Sequence, residues 1–340
     1  MAVVGDREPS WHTTSDGSRR TVFRTRVERE GMDERAALAV LEDELGPVGD
    51  DAAVVSDLVV TTDMLHETTD FPPGTTRYTA GWRAVGASLS DVAAMGGRAT
   101  AAVAAYAAPE FDESELLAFV RGASDVCDLV GAEYVGGDLD GHEEFTVATT
   151  AFGTTDAPVR RSGAEPGDLI CVTGTLGRSA AALELFERAD SSERQSGSAQ
   201  TDTSDREADL ERANELFRFE PRVDAGRTLA PHATAMMDSS DGLARSLYQL
   251  AEASECGFAV DSSAIPIDDA VFDTAETDEA ALERAITFGE DFELVVTIPE
   301  AALESAEAAT TVALTPIGTV VDDGITMDGE PLPDRGYTHG

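Results

Sequence analysis

The 340-residue sequence contains no lysine: all 24 of its cations are arginine, against 66 acidic residues, for a formal net charge of -42. Without lysine there can be no phosphate loop ending in Gly-Lys-Ser/Thr, no kinase-type strand lysine and no Schiff base to pyridoxal phosphate. Any handling of phosphate must rest on metal ions, arginine and backbone N–H groups. So much negative charge also argues against nucleic-acid backbones and anionic membrane surfaces as partners, because both are bound by clustered cations. Acidic excess without lysine points to adaptation to high salt, where screening weakens the self-repulsion. The three cysteines, Cys127, Cys171 and Cys256, stand far apart in apolar contexts, which favours reduced core residues over a disulfide or zinc framework. No run of eighteen apolar residues and no hydrophobic leader core occurs, so a soluble, cytoplasmic protein is expected.

What the chain has in quantity is aspartate beside glycine, serine or threonine. Five stations carry it: Gly49-Asp50-Asp51-Ala52, Thr61-Thr62-Asp63, Leu89-Ser90-Asp91, Gly136-Gly137-Asp138 and Asp238-Ser239-Ser240-Asp241-Gly242. Each is expected at the end of a buried strand or in a helix beside one. Taken singly, such an aspartate is an ordinary Asx-turn or helix cap. Recurrence changes the reading, since converging carboxylates raise one another's pKa and need cations to stay ionised. Mg²⁺ suits such a set: it prefers carboxylate oxygen and completes its shell with water and substrate phosphates. The expectation is a magnesium and nucleotide site assembled from several strand ends. His66, His142 and the other histidines lack a second ligand nearby, which disfavours zinc. Ser239 and Ser240 lack the Gly-x-Ser-x-Gly context of a hydrolase nucleophile.

Residues 1–31 are polar and without periodicity, so a disordered extension is expected, with Met32 as a candidate initiator. A helix should follow from Asp33, with Leu38, Leu41 and Leu45 on one face. From there to residue 155 strands and helices succeed one another as in a mixed α/β domain. Its helix over residues 78–94 is rich in Gly81, Ala84, Gly86, Ala87 and Ser88, which permit close packing. The same helix carries Asp91, an acid that needs a partner if buried. The second unit, residues 156–340, begins with a strand at Leu169–Val172 that runs into Thr173-Gly174-Thr175-Leu176-Gly177. That turn could cradle phosphate on its N–H groups or be a plain connection. The Ser-, Asp- and Glu-rich stretch 190–209 reads as a flexible acidic insertion.

Taken in order, the five stations together with Arg161-Ser162-Gly163, Val172-Thr173-Gly174 and Gly289-Glu290-Asp291-Phe292-Glu293-Leu294 resemble thiamine-monophosphate kinase. Asp-x-Ser-Asp-Gly alone is shared with aminoimidazole ribonucleotide synthetase, selenophosphate synthetase and hydrogenase maturation proteins. Ser90-Asp91-Val92-Ala93-Ala94-Met95-Gly96-Gly97 and the Gly-Glu-Asp-Phe-Glu-Leu stretch point to the kinase. The resemblance implies an α/β (α+β) two-domain fold of the aminoimidazole ribonucleotide synthetase type. It also implies a homodimer paired through a β-barrel of the N-terminal domains, with ATP and several Mg²⁺ in clefts against the C-terminal domain. Carried over by motif, Asp51, Thr61, Thr62, Asp63, Asp91, Asp138, Asp238 and Asp241 hold metal, with Asp91 and Asp51 central to catalysis. Gly137, Asp138, Arg161 and Ser240 contact ATP. Glu290 and Tyr337 lie on the thiamine side, where an aromatic ring can stack on a cationic heterocycle. Where the family carries a substrate-contacting histidine before a Phe-x-Pro-like segment, this chain has Asp70 before Phe71-Pro72 and His66 four residues earlier, and either Asp70 or His66 is expected to contact the thiamine moiety.

The implied reaction is ATP-dependent phosphorylation of thiamine monophosphate to the diphosphate by direct in-line transfer. The acceptor is already an ionised phosphate, so positioning and charge neutralisation suffice without a strong base. Two other readings compete. One is another ATP-dependent synthetase of the superfamily; the lack of a cysteine-bearing, glycine-rich N-terminus speaks against its selenophosphate version. The other is a non-catalytic acidic cation-binding module, which leaves Arg161 and Gly174 without a purpose.

Overall fold

The computed structural model describes residues 40–41, 49–195 and 201–336, the side chains of 192–203 excepted. The expected extension 1–31, nearly all of the helix from Asp33, and Tyr337 lie outside the described residues. Val40 and Leu41, the described part of that helix, are exposed.

Alternation builds the first sheet. Along β5 (Thr146–Thr154) every second residue is buried, as expected of a strand with one face covered. Its neighbours are β1 (Ala53–Val55), β2 (Leu58–His66), β3 (Arg98–Ala108) and β4 (Glu133–Gly141), in the order β1-β2-β5-β3-β4. β3 and β4 run parallel and the remaining pairs antiparallel. Pairing continues past two of the aspartate stations, so Asp63 and Asp138 sit inside β2 and β4 rather than at strand ends.

Two helices, α1 (Arg77–Ala94) and α2 (Glu113–Leu129), are capped by Thr76 and Asp112, whose side chains accept from N–H groups of the first turn. They meet almost backbone to backbone: a Cβ on Gly122 would stand 1.9 Å from the Tyr78 carbonyl oxygen. The opposite side of α1 is covered by the second half of the chain, through β7 (Ala235–Asp238) and α5 (Val223–Leu229). One apolar cluster therefore runs from Leu89 and Val92 on α1, and Met95 just after it, to Leu229, Met236 and Val296. Burial on both sides explains why α1 consists so largely of alanine, glycine and serine.

The second sheet joins β6 (Asp168–Thr173), β7, β8 (Gly257–Val260), β9 (Leu294–Pro299), β10 (Leu314–Val321), β11 (Ile325–Met327) and β12 (Glu330–Pro331), in the order β12-β11-β8-β10-β6-β9-β7. β7 is an edge strand, yet all four of its residues are buried. Met236 enters the cluster beneath α1, while Met237 joins Leu243 and Leu247 of α6 (Leu243–Ser254). The stretch 190–209, expected as a loop, is helical over much of its length. α3 (Arg178–Gln195) extends into it and α4 (Thr201–Phe217) starts within it. α3 and α4 form a helical hairpin whose inner side buries Leu185, Phe186, Leu216 and Phe217 and whose outer side pairs Arg188 with Asp209 at 2.7 Å. Asn214, the chain's only asparagine, accepts from the Thr76 N–H and donates to the Gly74 carbonyl, tying this hairpin to the loop before α1.

Cys127 and Cys171 are buried, and burial pushes both thiols up to about 12, so they serve as apolar filling. Among the described residues no helix is long and apolar enough to cross a membrane.

The contact at Gly122 yields a sign test. Glycine to alanine in an ordinary helix interior gains up to about 1 kcal/mol. Here Gly122→Ala is expected to destabilise by roughly 1–3 kcal/mol or more through overpacking against Tyr78, read as a lower urea midpoint; an unchanged or higher midpoint would refute the backbone contact.

Candidate active site

Three elements deliver three carboxylates to one place. Asp51 comes from the turn before β1, Asp91 from the last turn of α1 and Asp238 from the end of β7. Each offers an oxygen, and these oxygens all lie within 4.8 Å of one another. Thr61 on β2 donates its hydroxyl to Asp91 Oδ2. Asp63, two residues on and therefore on the same face of β2, accepts from Ser88 Oγ of α1 at 2.7 Å. Thr149 Oγ1 lies 2.7 Å from that same serine oxygen.

The electrostatics are those of a site short of positive charge. Burial, then the charges of Asp63, Asp238 and Asp51, hold Asp91 well above the usual carboxylate range. Burial and Asp51 do the same to Asp238. Asp238 Oδ2 and the hydroxyl of Ser90 are buried, and neither has a hydrogen-bond partner of normal geometry, although the hydroxyl lies close enough to favour the charged carboxylate. A buried acceptor left in that state costs about 1–3 kcal/mol. Against these acids stands Arg161, whose Nη2 and Nε donate to the two oxygens of Asp51 at 2.8 and 3.3 Å. Burial opposes its charge, but Asp51, Asp238 and Asp91 outweigh burial and keep it cationic. The donor set is carboxylate and hydroxyl oxygen without histidine or cysteine, which fits Mg²⁺ and not zinc.

The other expected residues distribute around this centre unevenly. Ser240 and Asp241 follow Asp238 directly; the Ser240 carbonyl accepts from the Glu290 N–H at 2.7 Å, and the Ser239 N–H donates to the Glu293 carbonyl at 2.8 Å. Thr62 alternates to the other face of β2 and donates to the Thr149 carbonyl. Asp138 is exposed on β4, with β5 and β3 between it and β2, a span of roughly 14 Å at the usual strand spacing. One chain thus brings Asp51, Asp91 and Asp238 together, with Thr61 and Asp63 close by, and leaves Asp138 and Gly137 apart. Beside Gly137 an apolar hollow of about 330 Å³ opens between β4 and α2, lined by Tyr106, Leu116, Phe119, Val120 and Tyr134.

The glycine-rich turn after β6 does not offer its N–H groups to phosphate. Gly177 and Ser179 donate theirs to the Asp291 carboxylate, which burial nonetheless pushes up to about 7. The turn binds an anion, but that anion belongs to this chain. Glu293 is likewise taken, by Arg222 at 2.6 and 2.8 Å and by the Thr173 hydroxyl at 2.6 Å. Glu290 pairs with Arg83. Neither Arg83 nor Arg222 was expected from the sequence; the available signal was a lone arginine inside a small-residue helix. Asp70 closes the single helical turn Glu67–Asp70 by accepting from the His66 N–H at 2.6 Å and the Thr69 hydroxyl at 2.8 Å. His66 Nδ1 lies 3.0 Å from Thr146 Oγ1.

Comparison with known proteins adds an independent line. Residues 49–155 match the family described as AIR synthase related protein, N-terminal domain, and residues 165–328 its C-terminal domain. A thiamine-monophosphate kinase of Halobacterium salinarum is 59% identical over 310 residues, 91% of this chain and 100% of that protein. A thiamine-monophosphate kinase of Methanospirillum hungatei is 39% identical over 320 residues, 91% and 99% of the two chains. The solved structure of AaThiL complexed with AMPPCP and TMP superposes with a TM-score of 0.77 at 27% identity, covering 94% of this chain and all of that one.

The raised carboxylates predict how Mg²⁺ acts on stability. A group whose folded pKa is raised contributes stability that is fully present below its unfolded pKa of about 4 and is lost as pH rises through the folded value. Near neutral pH the Mg²⁺-free protein should therefore melt a few degrees below an Asp238→Asn variant, roughly the shift of 1–2 kcal/mol. At pH 4 this difference should vanish. Added Mg²⁺ should raise the melting temperature of the wild type and not of the variant; equal Mg²⁺ responses would count against the centre.

Proposed function

The chain belongs to the thiamine-monophosphate kinase family, and we propose that its activity, ATP-dependent phosphorylation of thiamine monophosphate to thiamine diphosphate, proceeds by direct in-line phosphoryl transfer at the Asp51, Asp91 and Asp238 centre. The observation that carries this mechanism is the convergence of three carboxylates on a place with too little positive charge of its own. Mg²⁺ bound there would neutralise phosphate oxygens and orient them for in-line approach. Thr61 fixes Asp91, and Ser88 fixes Asp63 at the margin of the same centre. Arg161, held by Asp51 through Nε and Nη2, keeps its Nη1 to donate to a phosphate oxygen. Ser240 and Asp241, next to Asp238, complete the C-terminal side of the nucleotide and metal site.

The hollow beside Gly137 has the size and apolar lining for a purine ring. Its separation from the carboxylate centre within one chain favours a homodimer in which Gly137 and Asp138 of the partner subunit serve this site. Val55, Met64, Val135 and Leu139, exposed on the N-terminal sheet, supply apolar surface for such pairing. On the acceptor side, Glu290 offers negative charge to the cationic thiazolium ring, Asp70 or His66 at the helical turn after β2 contacts the thiamine moiety, and Tyr337 is the ring expected to stack on the heterocycle. A cytoplasmic location accords with these soluble co-substrates.

No general base is required, because the acceptor phosphate is a dianion above its second pKa near 6. In high salt with Mg²⁺, one ADP should form per thiamine diphosphate, and the rate should rise through about pH 6 and then level off. Asp91→Asn, folded by circular dichroism, should lose at least about 100-fold in kcat, the scale of removing preorganised charge stabilisation. Near wild-type turnover by that variant would remove Asp91 from the mechanism.

A further inference from the structure

We propose that Arg83 is a positioning residue for the acceptor, aiming the Glu290 carboxylate at the cationic ring of the substrate while staying shielded from that ring itself. The proposal rests on the reading of Glu290 as a substrate contact. Arg83 lies in the second turn of α1 with its side chain only 3% exposed, whereas the side chain of Glu290 remains 27% exposed. One nitrogen, Nη2, serves both the Glu290 Oε2 and, at 3.3 Å, the Glu290 carbonyl oxygen. Nη1 donates to the Phe217 carbonyl. The guanidinium lies 3.6 Å from the centroid of the Phe217 ring, with Phe219 at 5.2 Å and Phe292 at 5.7 Å. Phe219 and Phe292 stack on each other at 4.2 Å, and a Cβ on Gly86 of α1 would stand 3.0 Å from Phe219.

This enclosure fixes the direction of the pair. The Glu290 backbone is held in the left-handed region, φ +63°, by its N–H to Ser240 and by the Ser179 hydroxyl on its carbonyl at 2.7 Å. With backbone and Oε2 both pinned, the carboxylate has little rotational freedom, and Arg83 does not engage Oε1. Burial weakens the charge of Arg83, which Glu290, Asp291 and Asp70 sustain from both halves of the chain. A cation approaching the pair therefore meets the partly exposed carboxylate, while the guanidinium stays buried against the Phe217 ring. A purely structural salt bridge would need neither the exposed carboxylate nor the shielded guanidinium.

The test is a double-mutant cycle of Arg83→Met and Glu290→Gln in the full-length enzyme, measuring KM for thiamine monophosphate, KM for ATP and kcat. Each single change should raise the KM for thiamine monophosphate by about tenfold, the scale of one charge-assisted hydrogen bond, and leave the KM for ATP within about twofold. The double variant should be no worse than Glu290→Gln alone. Arg83→Lys, which keeps charge but loses the planar fork, should recover part of the loss. Should Arg83→Met not fold, Arg83→Lys carries the cycle, and its effect should disappear in the Glu290→Gln background. Penalties that multiply, or a lower melting temperature with an unchanged KM, overturn the role of Arg83. A Glu290→Gln enzyme with unchanged KM overturns the reading of Glu290 instead.

Discussion

Helix α1 has to be packed on two sides, by its own sheet and α2 on one and by β7 and α5 on the other. Side chains larger than alanine fit only where a neighbour recedes, and polar ones survive only where a partner waits. Gly226 shows how tight this is: a Cβ there would lie 2.1 Å from the Ala93 carbonyl oxygen. The polar residues of α1 thus mark its junctions with the cleft. Arg83, Ala87, Ser90 and Asp91 fall on one stripe of the helix, at i, i+4, i+7 and i+8. Eight residues of helix rise about 12 Å. The same rigid rod sets the spacing between Asp91 of the carboxylate centre and Arg83 in its aromatic enclosure.

Arginine is the only cation available, and the three best-enclosed ion pairs of the cleft use its geometry. Arg161 and Arg222 each approach a carboxylate with two nitrogens, while Arg83 reaches Glu290 with one and lays its planar face on Phe217. Lysine could supply the charge but neither the fork nor the stack. Pairs buried to this degree are little screened by salt, unlike the exposed Arg212–Glu215 pair, which contributes little under any condition. A protein adapted to concentrated salt can therefore carry a heavily acidic surface and still keep its functional carboxylates oriented by charge. The Halobacterium salinarum relative accords with that reading of the composition.

Much of this was legible in the residues. Three of the five aspartate stations supply the carboxylates that come together, because small flanking residues leave a carboxylate room to approach others, and the small-residue run of α1 announced close packing. What the sequence left open depends on distance across the fold. Asp63 and Asp138 looked like strand ends, since local patterns do not show how far a neighbouring strand continues the ladder. Thr173-Gly174-Thr175-Leu176-Gly177 resembled a phosphate cradle because the turn does bind an anion; that Asp291, over a hundred residues away, supplies it is a tertiary fact. Arg83 and Arg222 escaped notice for the same reason, as their partners Glu290 and Glu293 lie 207 and 71 residues further along the chain. The stretch 190–209 read as a loop because helix surfaces and loops draw on the same polar residues, and its described parts belong to α3 and α4.

Three like charges drawn from both halves of the chain might be expected to force those halves apart. At 4.8 Å and an effective dielectric near 20, one pair repels by roughly 3.5 kcal/mol. Arg161 cancels part of this and proton uptake by Asp91 or Asp238 relieves more, which is what their raised titration expresses. Opposing it is the apolar cluster beneath α1, where burial of each of Leu89, Val92, Met95, Met236, Leu294 and Val296 contributes about 1.5–3 kcal/mol. That cluster joins residues from both halves of the chain, so packing holds the three carboxylates together against their repulsion.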